Sequence, residues 1–454
     1  MAVWSITNTV EISKNKRFDS EFFHPDFLTS EKKVMSTGAT KKLGELGRFL
    51  IGPFGSAFHV SNYDPTSEYR YIRGKDVKPF ALLDGDNVYM PENDFNRLGK
   101  YAVIPNDLLI SVVGTLGNVA IVPENIKGIF SCKSTVFRDP TIDPYYLLAY
   151  FNSKYGRDCL LRRQRGAIQT GLNKDDLKTV PVPTFSSEEH MIIGNLIRNA
   201  LKLSDKSKSL YRQAQNILEK ELGMDQLVLE KLKSYEISFS EILGSVRADP
   251  EFFHIKYDPI LNAIKEYKGG VKPLYQLSKI VGPNFNPTKH NNSFSYIEIG
   301  DIDISDGSYT SNVVPAKDLP ANAKIMLSGG ELIISQVRPT RGAISLIDED
   351  LKENTICSGA FYTCSIINKE QREIIFLYLR IVKEVFEKYC GGTSYPTIDG
   401  NYLKNFLIPL FDANLSKRIS ELIIKSKQAK KESEQLLEQA IKRSEDLIEG
   451  AIEQ

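Results

Sequence analysis

Cysteine is scarce in this chain: five in 454 residues. They are Cys132, Cys159, Cys357, Cys364 and Cys390, an odd number with no C-x-x-C pair. That argues against a disulfide framework or a zinc ribbon and for reduced thiols, as in a cytoplasm. Histidine is equally sparse. His24, His59, His190, His254 and His290 are scattered, and none has a second ligand at metal-binding spacing. No apolar run approaches the roughly 18 residues needed to cross a bilayer. The segment from Met1 to Lys16 has no apolar core of a signal peptide. Neither sign of charge is in excess, the net being +1. A nucleic-acid face must therefore be a local basic patch.

Catalytic signatures are missing too. There is no G-x-x-x-x-G-K-[ST] phosphate loop, no G-x-S-x-G and no H-E-x-x-H. Asn286-Pro287-Thr288-Lys289 is not the Pro-Pro-aromatic signature of an adenine methyltransferase. Gly52-Pro53-Phe54-Gly55-Ser56 is Gly-rich but reads as a turn. The chain is expected to be no enzyme, with no catalytic residue, no metal and no cofactor of its own.

What is present is an internal repeat. Arg17-Phe18-Asp19-Ser20-Glu21-Phe22-Phe23-His24 returns as Arg247-Ala248-Asp249-Pro250-Glu251-Phe252-Phe253-His254, identical at six of eight positions. Weaker echoes follow in order. Leu43 to Leu46 matches Leu274 to Leu277, and Tyr71-Ile72 matches Tyr296-Ile297. Asp107-Leu108-Leu109-Ile110-Ser111 matches Glu331-Leu332-Ile333-Ile334-Ser335, and Cys132 is placed opposite Cys357. Gly166 through Leu177 to Pro183 parallels Gly392 through Leu403 to Pro409. The framework matches while the segments between differ, as in two copies of one binding module that have diverged in what they bind. The repeated R-x-D-x-E-F-F-H could suggest acid–base chemistry; an ion-pair and aromatic lock at the entry to each half is the favoured reading.

The core of each half reads as β-rich, with strands over 107–114, 118–122, 331–335 and 343–347. Helices follow from Asp143-Pro144 to Gly166 and from Glu370 to Tyr389. From Ser186 to Leu222, Ile192, Leu196, Leu203, Leu210 and Ile217 recur at 4-3 spacing, beside Ile193, Ile197, Ala200, Tyr211, Ala214 and Leu218. The segment from Asn414 to Gln454 repeats the pattern through Ile419, Leu422, Leu436, Ala440, Leu447 and Ile448. These are coiled-coil seams. The expected fold is α+β: two β-rich domains in tandem pseudo-repeat, separated by two long antiparallel coiled-coil helices. The expected boundaries are 1–185 (with an N-terminal extension, 1–40), 186–222, 223–412 and 413–454.

Basic and hydrogen-bonding side chains suited to DNA cluster in each half. In the first they are Arg162, Arg163 and Arg165, then Gln169 and Thr170, with Lys133 and Arg138 on a neighbouring strand. In the second they are Arg338, Thr340 and Arg341, with Ser394 and Tyr395.

Taken together, the twofold repeat, Asp107 to Ser111 followed by Gly114 to Val122, and Gly166 to Leu172 leading to Pro181-Val182-Pro183 and an acidic helix start resemble the specificity subunit of a type I restriction–modification system. The resemblance covers nearly the whole chain. It implies that the two β-rich domains are target-recognition domains, each reading one half of a split site in double-stranded DNA, and that two DNA methyltransferase subunits acting on adenine N6 are partners. Restriction subunits can join that core. S-adenosylmethionine and ATP with magnesium belong to those partners. About forty residues precede the point where the family commonly begins, which leaves open a type IIB-like or methyltransferase-only assembly. The alternative from the residues alone is a non-DNA scaffold organising a complex through its coiled coil.

Overall fold

The computed structural model describes residues 4–166, 170–227, 234–245, 247–392 and 394–450. It divides into two compact units, Met1–Ser204 with Lys431–Gln454, and Asp205–Lys430.

The first unit opens with two helices, α1 (Thr9–Asn15) and α2 (Pro25–Met35). The His24 side chain caps α2 by accepting from the Asp26 backbone N–H. Strands β1 (Arg48–Ile51), β2 (Leu108–Ser111), β3 (Val119–Ile121) and β4 (Ser134–Arg138) form an antiparallel sheet in the order β1-β4-β2-β3. Every residue of β2 and β3 is buried. One face, with Leu108, Ile110, Val119 and Ile121, packs on helices. The other, with Leu109, Ala120 and Val136, packs on Ile72 and Phe130 of a smaller sheet. A strand covered on both faces reads as a continuous apolar run, which is why Leu108-Leu109-Ile110 does not alternate.

The helix expected from Asp143 to Gly166 is shorter and broken. It forms α3 (Pro144–Asn152), capped by Asp143, and α4 (Lys154–Leu161), capped by Ser153. Ser153 ends one helix and starts the next, its hydroxyl donating to the Tyr150 carbonyl and accepting from the Gly156 N–H. A side chain at Gly156 would collide with the Tyr150 carbonyl, so the close turn needs glycine. The chain then makes a small hairpin, β5 (Gln164–Arg165) with β6 (Gly171–Leu172), and enters α5 (Ser187–Glu221).

The second unit repeats this order. After α6 (Phe239–Ser245), strands β7 (Ser278–Ile280), β8 (Glu331–Ser335), β9 (Ile344–Leu346) and β10 (Phe361–Ile366) form a sheet in the order β7-β10-β8-β9. Helix α7 (Arg372–Ile381) covers it, a hairpin of β11 (Cys390–Gly391) and β12 (Thr397–Ile398) follows, and α8 (Ala413–Glu449) closes the unit. In the smaller sheets, Tyr69–Ile72 pairs in parallel with Gly128–Phe130, and Ser293–Ile297 with Thr355–Ser358. Ile72 faces Phe130 and Ile297 faces Cys357. The position equivalent to Cys357 is thus Phe130 rather than Cys132; a short insertion had shifted the sequence match.

Both long helices have residues in each unit. Within the first, Ser433 Oγ donates to the Ala200 carbonyl at 2.7 Å, and Arg443 grips Glu189 with two bonds of 2.7 Å. The numbers fall on α5 as they rise on α8, so the pair is antiparallel. Ile193, Ile197, Ala200, Tyr211, Ala214 and Leu218 are the buried seam; Ile192 and Leu196 flank it half-buried. The helices also pack on their modules. Ala440, Leu447 and Ile448 join the first unit's core, and Tyr211, Ala214, Leu218 and Leu222 the second's. Lys430 reaches Asp303, Asp306 and Ser308 at 3.1, 2.6 and 2.6 Å within the second unit.

Candidate nucleic-acid interface

In each unit one end of the four-stranded sheet gathers equivalent loops. Ile51 pairs with Thr135, and Ser111 with Ser134. The chain therefore leaves β1 at Gly52, leaves β2 at Val112 and enters β4 from Lys133 at the same sheet end. In the second unit Ser335 pairs with Phe361, and β7 runs out toward that end through Val281, whose N–H donates to the Thr363 carbonyl. The repeated serines close the central strands alike. Ser111 Oγ donates to the Thr115 carbonyl and Ser335 Oγ to the Val337 carbonyl, folding the following loop back on the strand.

The small hairpin docks at this end in both units. Leu172 N–H donates to the Val112 carbonyl at 3.0 Å, and Ile398 N–H to the Gln336 carbonyl at 2.9 Å. Isolated bridges join Val113 to Gly171 and Val337 to Thr397. Gly166 and Gly392, at φ +103° and +85°, turn the chain at the hairpin tip, a left-handed geometry that favours glycine.

The second unit brings Arg338, Ser394 and Tyr395 into contact, with Thr340 and Arg341 in the turn that Arg338 opens. Arg338 sits at φ +48°, its N–H donating to the Pro396 carbonyl at 2.7 Å. Its guanidinium lies 4.4 Å over the Tyr395 ring and donates to the Ser394 carbonyl at 3.3 Å. Tyr395 is 66% exposed. Thr340 is half-buried, and Ser394 and Arg341 are exposed. Among the described residues no carboxylate is in ion-pair contact with Arg338 or Arg341. A stacked guanidinium with free donors can meet a phosphate or a guanine edge.

The first unit differs from expectation. Arg162 and Arg163 are buried, at 6% and 5% exposure. Both pair with Glu31 on α2. Burial raises the Glu31 carboxyl's pKa, but hydrogen bonding and charge from the two arginines outweigh it and hold the carboxyl below its ordinary value. Arg162 also donates to the Phe22 carbonyl at 3.0 Å and covers the Phe22 ring at 4.2 Å. Its counterpart Lys388 donates to the Phe252 carbonyl at 2.5 Å and covers that ring at 5.3 Å. Arg162 and Lys388 thus hold the first phenylalanine of the repeated motif in each unit. Arg138 is displaced as well. It faces Arg48 at the opposite end of the sheet and is bidentate to buried Asp107 at 2.8 and 2.6 Å.

Arg165 is 45% exposed at the hairpin, bidentate to Asp176 at 2.6 and 2.7 Å. Thr170 and Lys133 are exposed at the loop-bearing end. Gln169 lies outside the described residues.

The sequence reading missed a further loop pair. Gly52-Pro53 and Gly282-Pro283 follow equivalent edge strands, and each leads into an exposed segment pinned by a buried ring. Phe58 packs 4.9 Å from Tyr71, and Phe285 packs 4.7 Å from Phe294. Ser56 and His59, and Lys289 and His290, are exposed there. The recurrence of Gly-Pro at the offset of the R-x-D-x-E-F-F-H repeat was the available signal.

Among the described residues no three His, Cys, Asp or Glu side chains form a metal-holding group, and no helix is long and apolar enough to cross a membrane.

No family model matches the chain. It is 27% identical over 173 residues to the specificity subunit of the type I restriction enzyme EcoBI from Escherichia coli. The match takes in 35% of this chain and 36% of that subunit, so it spans about a third of the relative's length. Among solved structures, a type I restriction–modification S subunit from M. genitalium aligns with a TM-score of 0.46 and 13% identity, over 92% of this chain and 96% of that one. The HsdS subunit from Thermoanaerobacter tengcongensis aligns with a TM-score of 0.27 and 13% identity, over 91% and 97%. Over that stretch of shared sequence the chain is similar to a type I restriction specificity subunit, the family that its repeated motifs resemble.

Proposed function

We propose that the chain reads a bipartite duplex target, one half per unit, and directs partner adenine-N6 methyltransferase subunits to it, with restriction subunits able to join. The observation that carries this reading is the matched sheet end. The same hairpin and loops are built twice on the same framework, but with different exposed side chains. Arg338, Arg341, Ser394 and Tyr395 stand in one unit where Lys133, Arg165 and Thr170 stand in the other.

Such a surface specifies through base edges and sets register through phosphates. The chain's own part is positioning. The base must leave the stack for chemistry, and the methyltransferase partners supply that step with S-adenosylmethionine. ATP serves the restriction partners. The paired helices set the gap between half-sites. Binding should weaken steeply with salt, because phosphate contacts release counterions.

The test is a methylation map. The chain is expressed with the methyltransferase encoded beside it, and host DNA is sequenced for N6-methyladenine. A split motif that vanishes without this chain supports the reading. Absence of any chain-dependent motif from an assembled complex rejects it in favour of a scaffold that organises proteins alone.

A further inference from the structure

The repeated R-x-D-x-E-F-F-H motif reaches the recognition hairpin in both units, and through the same atoms. Arg17 Nε donates to Asp19 Oδ1 at 2.7 Å, and its Nη2 donates to Asp19 Oδ2 and to the Gln164 carbonyl, the latter at 2.6 Å. Arg247 Nε donates to Asp249 Oδ1 at 2.8 Å, and its Nη2 donates to Asp249 Oδ2 and to the Cys390 carbonyl at 2.5 and 2.7 Å. Each guanidinium lies 4.6 Å from the ring of the motif's first phenylalanine, Phe22 or Phe252. Gln164 and Cys390 each open the first strand of the hairpin, β5 or β11.

These hairpins have two residues per strand. A ladder that short is not stable alone and cannot aim its own tip. Each is held from outside on both strands. One anchor is the loop after the central strand, through Leu172 and Ile398. The other is the motif arginine, through Gln164 and Cys390. The aspartate orients the guanidinium so that a charge-assisted bond falls on that one carbonyl. Arg17 is 3% exposed, so it cannot itself touch a duplex.

We propose that Arg17 and Arg247 are positioning residues for DNA specificity, each aiming the recognition hairpin of its own unit. The proposal rests on the specificity-subunit reading above. Discrimination at each half-site then depends on one arginine that acts through the hairpin backbone, and the two dependences are separate.

The experiment uses the full chain assembled with its methyltransferase and the target found by the methylation map. Duplexes carrying a base change in one half-site or the other compete against the intact target. R17A and R247A should each lose discrimination by about tenfold, what one well-placed base contact supplies, and at different half-sites. R17K and R247K keep a cation in reach of the carbonyl and should restore it to within about threefold. Loss at both half-sites from one substitution, or full discrimination in both alanine variants, would overturn the proposal. Hydrogen exchange of the DNA-free protein separates this outcome from failure of the function reading. If the wild type shows no sequence preference, the function reading falls. The clamp then stands if the Leu172 amide in R17A and the Ile398 amide in R247A exchange about tenfold faster, and falls if they do not.

Discussion

Ser207 and Ser426 hydrogen-bond to each other's backbone across the long helices. Each Oγ donates to the other's carbonyl at 2.8 Å, and the two oxygens lie 3.1 Å apart. Both residues are buried. In an apolar seam such a pair is satisfied at one alignment and unsatisfied at any slip, so it pins register. Either single alanine variant removes one of these bonds, and each should cost about 1 kcal/mol. The double variant should cost less than the two singles summed, by about 0.5–1 kcal/mol. Urea unfolding of the four proteins measures this, and strict additivity would mean the serines do not act as a pair.

Arg163 is the clearest case of a basic residue that belongs to the fold. Its guanidinium bonds Glu31 and the Thr179 carbonyl in a buried site. Arg163→Ala leaves the Glu31 carboxylate with Arg162 at 2.8 Å as its remaining ion-pair partner. The expected loss is about 3 kcal/mol, with salt-dependent DNA retention of the folded protein unchanged. Weakened retention at unchanged stability would return Arg163 to the DNA face.

The same carboxylate gives a pH dependence with a definite sign. Its folded pKa is below the ordinary 4.5 despite burial, because of Arg163 and Arg162. The stabilisation is therefore complete above pH 4.5 and is lost as pH falls through the lower folded value. Stability of the wild type minus that of Glu31→Gln should be constant near neutrality and shrink below about pH 4.5. A difference that grows on acidification would contradict the assignment.

Those two residues also show what the sequence could and could not reveal. The long helices, the strand runs at Leu108 to Ser111 and Glu331 to Ser335, and the repeat were legible because burial imposes a period or a composition that survives in one chain. Arg162, Arg163 and Arg165 were read as one basic patch because they are adjacent. Whether a cation meets solvent or Glu31, 132 residues away from Arg163, is fixed by tertiary contact and leaves no local mark. The break at Ser153 was hidden because apolar residues continue on both sides of it. Arg338 with Ser394 and Tyr395 emerged as one cluster because the same repeat that suggested them also places their loops together.

Arg338 and Tyr395 should act at one half-site. Arg338→Ala removes a planar donor fork and should cost about 1–3 kcal/mol of discrimination there. Arg338→Lys should recover affinity better than discrimination, since an ammonium cannot make the bidentate contact. Tyr395→Ala, which removes the platform under the guanidinium, should cost less than Arg338→Ala. Competition binding with duplexes altered in each half-site decides this. A loss equal for all sequences, with a shallower salt slope, would make Arg338 a phosphate contact.

Helix length gives the last prediction. An α-helix rises about 1.5 Å per residue, so removing a heptad from each partner shortens the pair by about 10 Å. At about 3.4 Å per base pair this corresponds to roughly 3 bp of duplex. Because seven residues are close to two full turns, the deletion keeps the buried face of each helix nearly in phase. The residues removed must lie opposite one another in the antiparallel pair, or the seam slips. The methylation map of the shortened protein should show both half-sites unchanged and a gap smaller by about 3 bp. Altered half-sites would mean the helices shape the recognition loops themselves, and an unchanged gap would mean that the spacing is set by the partner subunits.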